Sequence, residues 1–141
     1  MFLDASAIVA ILKSEPEAAG FLVALEGAKG KVITSSIARY EAVISVAVQM
    51  ARSRGETHMT VDDATNAEDL VAALLAEIGA REMHVTESIG RTAREAATTY
   101  GKVAGHPAQL NMGDCFAYAF AKAFRVPLLY KGGDFRQTDL A

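Results

Sequence analysis

Apolar positions along the chain shift between short unbroken runs and recurrences every three or four residues, the alternation expected of strands followed by helices. Phe2-Leu3 predicts a short strand, and Asp4-Ala5-Ser6 a turn into a helix over Ala7–Lys13, with Asp4 or Ser6 able to cap it. Ser14-Glu15-Pro16-Glu17 has the form of a capping box with an early proline, so a second helix is expected to about Glu26, stopped by Gly27 and Gly30. Lys31–Thr34 predicts a second strand. Ser35 or Ser36 then caps a long helix that ends in Ser53-Arg54-Gly55.

Thr60-Val61-Asp62-Asp63 is another capping-box form. It opens a helix whose Val61, Ala64, Leu70, Val71, Leu74, Leu75 and Ile78 make the expected inward stripe, closed by Gly79. Met83–Val85 predicts a third strand, and Thr86–Tyr100 a helix with Ile89, Ala93, Ala96 and Tyr100 inward. The stretch Gly101–Leu110 is the longest expected loop. Asn111 caps a helix over Met112–Phe124, apolar nearly all round, and Val126–Tyr130 is an apolar strand running into Lys131-Gly132-Gly133-Asp134. Strands alternating with helices predict a three-layer α/β domain with a mostly parallel sheet of about four to five strands.

The chain has 141 residues, 51% of them hydrophobic, which suits one domain over 1–141 with a real core. The opening residues carry no basic region, and the apolar stretch Ala7–Leu12 is too short to span a membrane, so a soluble, cytoplasmic protein is expected. The single cysteine, Cys115, excludes an internal disulfide and reads as a small core residue. A formal net charge of −3 means that any nucleic acid must be held by local patches or by metal ions rather than by overall charge.

Four acids stand at junctions where chemistry is expected: Asp4 after the first strand, Glu41 in the long helix, Asp114 at a helix start and Asp134 in a glycine turn. In a parallel sheet the C-terminal ends of strands converge on one crevice. Glu41 lies about 20° from Val48 and about 40° from Ile37 around the helix, on the rim of the apolar arc. None of its neighbours at i+3, i+4 or i−4 is basic. Each acid also has an ordinary reading: Asp4 as a cap, Glu41 as a side chain reaching for solvent, Asp114 as part of a capping box, Asp134 as a turn residue. Four carboxylates about 7 Å apart would repel by roughly 14 kcal/mol in total at an effective dielectric of about 20, which rivals the stability of a whole domain. A divalent cation relieves that repulsion and brings phosphate chemistry with it.

The segments Phe2-Leu3-Asp4-Ala5-Ser6-Ala7, Leu110-Asn111-Met112-Gly113-Asp114-Cys115-Phe116-Ala117-Tyr118-Ala119 and Lys131-Gly132-Gly133-Asp134-Phe135, with Thr138-Asp139, resemble the PIN-domain ribonucleases, and within them the VapC toxins of toxin–antitoxin pairs. The resemblance spans essentially the whole chain. It puts Asp4, Glu41, Asp114 and Asp134 on the family's four acidic positions, and Ser6 and Asn111 on polar positions beside them. It implies a PIN-like fold, Mg²⁺ or Mn²⁺ as cofactor, an RNA substrate cut to leave a 5′-phosphate and a 3′-hydroxyl, a homodimer, and an antitoxin (VapB-like) that blocks the acidic pocket. The chain departs from the pattern at Gly133, where such toxins often carry asparagine.

Two other readings stay open at the level of sequence. A haloacid-dehalogenase-like phosphatase also places an aspartate after its first strand, but wants a second aspartate where this chain has Ser6. A PIN-like scaffold could bind a partner without cutting. Lys131 and Arg136 flank Asp134 and are candidates for phosphate contacts, yet most of these and of Arg39, Arg52 and Arg54 are read as solvated surface charge, and none is placed in the site. His58, His84 and His106 lie on separate segments without ligand spacing.

Overall fold

Phe2 and Leu3, both completely buried, begin the first strand, β1 (Phe2–Leu3), at the centre of the sheet. The remaining elements of the computed structural model, which describes residues 1–140, follow in order. They are α1 (Ala5–Leu12), α2 (Ala18–Gly27), β2 (Ile33–Ser35), α3 (Ser36–Ser53), α4 (Val61–Ile78), β3 (Arg81–Met83), α5 (Glu87–Tyr100), α6 (Met112–Phe124) and β4 (Leu128–Leu129). Short 3₁₀ turns cover Lys102–Ala104 and Asp134–Gln137.

The four strands are all parallel, in the order β3-β2-β1-β4. From β1 to β2 to β3 the chain steps one way across the sheet; from β3 to β4 it steps back past both to the far side of β1. Right-handed crossovers therefore put α1 to α4 on one face and α5 and α6 on the other. The packing agrees, since α1 touches α2, α3 and α4, while α5 packs along α6. This is the expected α/β sandwich, and the reversal makes the C-terminal ends of β1 and β4 the place where a crevice opens.

Strand ends are tied closely there. The Phe2 amide donates to the Pro127 carbonyl at 2.8 Å and the Asp4 amide to the Leu129 carbonyl at 3.1 Å, so β4 fixes where β1 stops. The Thr34 hydroxyl donates to the Leu3 carbonyl at 2.9 Å from the other side. Phe120 of α6 is fully buried and stacks on Phe2 with ring centroids 5.3 Å apart, joining helix layer to sheet. Phe120→Ala is expected to cost about 3–5 kcal/mol of stability, read by urea unfolding; a loss under about 1 kcal/mol would mean that this stack is not part of the core.

Several expected elements shift. Helix α1 starts at Ala5, because Asp4 itself is the cap. Ser14 has φ 52°, and Glu15 is held by Lys13 and Lys131, so the expected capping box before α2 does not form and α2 starts only at Ala18 with no side-chain cap. The second strand runs over Ile33–Ser35 and the third over Arg81–Met83, each displaced from the apolar run that suggested it. In α4 the buried line is Asp63, Ala67, Val71 and Leu75, whereas Val61 and Leu70 are exposed. Asp63 is buried because it completes the Thr60 capping box and takes two bonds from Arg54, at 2.6 and 2.8 Å, which hold its carboxyl below the usual range. Among the described residues, no helix is long and apolar enough to cross a membrane.

Candidate active site

Asp4 leaves β1 as the N-cap of α1 and is almost entirely buried. Its Oδ2 accepts the Ser6 amide at 3.0 Å and the Ser6 hydroxyl at 2.5 Å. Ser6 Oγ in turn accepts the Lys131 amide at 3.0 Å, so one hydroxyl ties the exits of β1 and β4 together. Burial pushes the Asp4 carboxyl above its usual range, the Ser6 bonds oppose that, and the charge of Asp134 adds to it.

Glu41 comes from α3, which Ser35 caps through a 3.1 Å bond from the Ala38 amide. Its carboxylate rests against Gly113 at the start of α6 instead of reaching into solvent. Burial, reinforced by the charges of Asp4 and Asp114, pushes its carboxyl up to about 7. Asp114 sits in the first turn of α6, where Asn111 and Asp114 form a full capping box: the Asp114 amide donates to Asn111 Oδ1 at 3.0 Å and the Asn111 amide to Asp114 Oδ2 at 2.9 Å. The structural reading of Asp114 therefore holds, and a functional one stands beside it. Burial and the charges of Asp4 and Asp134, against the lowering effect of the Asn111 bond, leave its carboxyl raised to about 6.

Asp4, Ser6, Glu41, Asn111 and Asp114 all line one cavity of about 350 Å³. Three acids from three separate elements thus face the same space, at the crevice set by the sheet reversal. Asp134 is exposed at the start of the last 3₁₀ turn and is not among the lining residues, although its charge is felt at Asp4 and Asp114. Among the described residues, no three His, Cys, Asp or Glu side chains are drawn together into a finished metal cage.

The PIN domain family model matches residues 1–140, and a VapC ribonuclease of Rhizobium meliloti (strain 1021) is 42% identical over 99% of this chain and 98% of its own. The chain belongs to the PIN domain family. Ribonuclease VapC42 of Mycobacterium tuberculosis is 35% identical over 99% of this chain and 96% of its own length, which puts the PIN domain here among the VapC ribonucleases. In fold, this PIN domain is similar to the crystal structure of Mycobacterium tuberculosis VapC20, described as a toxin that cleaves the sarcin-ricin loop, with a TM-score of 0.64 and 18% identity over 96% of this chain and 92% of that one.

Two residues that line the PIN-domain cavity were left outside the site by the sequence reading. Lys131, read as surface charge, lines the cavity, with its ammonium on Glu15 at 2.6 Å and near Glu17 at 3.4 Å. Glu15 lines it too. That pairing spans 116 residues of chain, and no local pattern announces it. Arg39 and Arg54 are not free surface charges either: Arg39 pairs with Glu68 and Glu82, and Arg54 with Asp63 and Glu56. Gly113, against which the Glu41 carboxylate rests, was also not singled out, although it does not itself line the cavity.

Beside the acidic cavity, and sharing Asn111 with it, lies an apolar one of about 420 Å³ between α5 and the start of α6. Cys115 is buried on its wall, and burial pushes its thiol up, away from nucleophilic use. Tyr118 and Phe120 are core residues. The Tyr118 hydroxyl donates to Asp139 at 2.7 Å and Lys122 pairs with the same acid, so Asp139 anchors the C-terminal segment.

Proposed function

We propose that this protein is a divalent-metal-dependent endoribonuclease, the toxin of a VapBC-type pair, and that Asp4, Glu41, Asp114 and Asp134 are its acids. The observation that carries the reading is the meeting of Asp4, Glu41 and Asp114 on one cavity, with carboxyls raised by burial and by one another. Groups in that condition gain most from a cation. The donors on offer are all oxygens, from the carboxylates, the Asn111 amide and the Ser6 hydroxyl, and this hard set suits Mg²⁺ or Mn²⁺ rather than zinc.

A divalent ion there would supply Lewis acidity toward a phosphodiester oxygen and a water of lowered pKa. Asp4 and Asp114 would hold it, with Asp134 completing the set from the rim. Glu41, the acid with a pKa near neutrality, is suited to orient the attacking water and accept its proton. Ser6 fixes the Asp4 carboxylate by two bonds to one oxygen, and the Asn111 backbone amide holds the Asp114 carboxylate by a single bond to Oδ2 within the capping box. Lys131 also lines the cavity, where a phosphate oxygen would compete with Glu15 and Glu17 for its ammonium. In-line attack would leave a 5′-phosphate and a 3′-hydroxyl.

The reading includes a homodimer, cytoplasmic residence and a VapB-like antitoxin that occludes the acids. The phosphatase alternative is weakened by the local chemistry, because Ser6 stands where a second aspartate is wanted and spends its hydroxyl on Asp4. Incubation of purified protein with total RNA separates hydrolysis from mere binding. Discrete fragments bearing 5′-phosphates are expected in Mg²⁺ or Mn²⁺ and none in EDTA. Intact RNA under all three conditions would refute the proposal.

A further inference from the structure

Gly113 is the second residue of α6, and its backbone is helical, with no positive φ that would call for glycine. Glycine inside a helix is less stable than alanine, so its presence here needs another cause. A Cβ built at position 113 would overlap both oxygens and the carboxyl carbon of Glu41, each far inside the 3.0 Å that real Cβ atoms keep. No other group competes for that space among the three nearest atoms. The Glu41 carboxylate occupies the volume where any other residue would carry its side chain.

We infer that Gly113 is a positioning residue: by having no side chain, it creates the seat that holds the Glu41 carboxylate against the start of α6 and on the cavity shared with Asp4 and Asp114. The atom that would be struck is the end of a flexible side chain, so a methyl group at 113 displaces Glu41 and leaves the fold in place. The seat also lies in the first turn of α6, where unpaired backbone amides and the helix dipole favour a negative charge. Its catalytic consequence rests on the ribonuclease reading of the site; the packing itself does not.

A double-mutant cycle between Gly113→Ala and Glu41→Ala tests it, read both as RNA cleavage in Mn²⁺ and as the melting temperature of metal-free protein. In the parent, Gly113→Ala is expected to lower cleavage at least about tenfold, as expected for a misplaced catalytic group. In the Glu41→Ala background it should cause no further fall. There it should also raise the melting temperature by about 3 °C, the helix preference of alanine now being unopposed, and the parent should show a smaller gain or a loss. Equal changes in melting temperature in the two backgrounds would overturn the seat. Parent-like cleavage by Gly113→Ala, where Glu41→Ala alone is impaired, would overturn the positioning role while sparing the ribonuclease reading. Parent-like cleavage by Glu41→Ala itself would overturn that reading at Glu41 and the role of Gly113 with it.

Discussion

Replacing Asp4 by asparagine is expected to lower RNA cleavage by at least about a thousandfold, the loss of several kcal/mol of transition-state stabilisation, while leaving the protein folded and more heat-stable without metal. The two effects have one cause. Asp4 is almost fully buried, and its carboxyl is raised by that burial, so its ionised form costs stability at neutral pH that an amide does not. An asparagine oxygen still accepts the Ser6 amide and hydroxyl, so the cap of α1 survives. The gain in stability should vanish in acid, below the ordinary carboxylate range, where the parent is protonated whether folded or not. A variant that is inactive and also less stable would mean that Asp4 serves the fold first. Cleavage at the parent rate would mean that it serves no reaction.

Acidification should switch cleavage off while steadying the metal-free protein. Glu41 is raised to about 7 from an ordinary 4.5, and Asp114 to about 6 from 3.8, in both cases chiefly through burial. Cation binding and proton acceptance both need the ionised forms, so the rate in Mn²⁺ should fall roughly tenfold or more between about pH 7 and about pH 5, as Glu41 and then Asp114 take up protons. Stability runs the other way. A group with a raised folded pKa contributes its full stability below its unfolded pKa and loses it as pH rises through the folded one. In EDTA the melting temperature should therefore decline from about pH 4.5 to about pH 7 and then level. Saturating Mn²⁺ should restore it at neutral pH. A rate unchanged from pH 7 to pH 5, with a melting temperature that rises with pH in EDTA, would contradict the assignment of raised pKa values to these acids.

How far the sequence could be read depended on whether a feature was local. Caps were legible because they lie within four residues: Ser35, Thr60, Thr86 and Asn111 each start the helix expected of them. The convergence of Asp4 and Asp114 was legible because a parallel sheet sends strand ends and helix starts to one edge. The face of α4 was not, because a count of apolar residues gives weight to the exposed Val61 and none to the buried Asp63, whose burial depends on Arg54. The capping box expected at Ser14 failed because Glu15 is drawn to Lys131, a partner reached only after folding. Asp134 was grouped with the other acids for its place in a glycine turn and then by resemblance, but it is exposed on the last turn and does not line the cavity they share. Gly113 carries no signal in composition or periodicity; only the approach of α3 to the start of α6 gives its missing side chain a meaning.

Titration calorimetry of Mn²⁺ at neutral pH, into the parent protein and into Asp114→Asn, tests most directly whether these acids form a cation site. The account predicts saturable binding in the parent that is lost or weakened at least about tenfold in the variant, with the helical fold unchanged. Equal affinity in both proteins, or no binding in the parent, would contradict it.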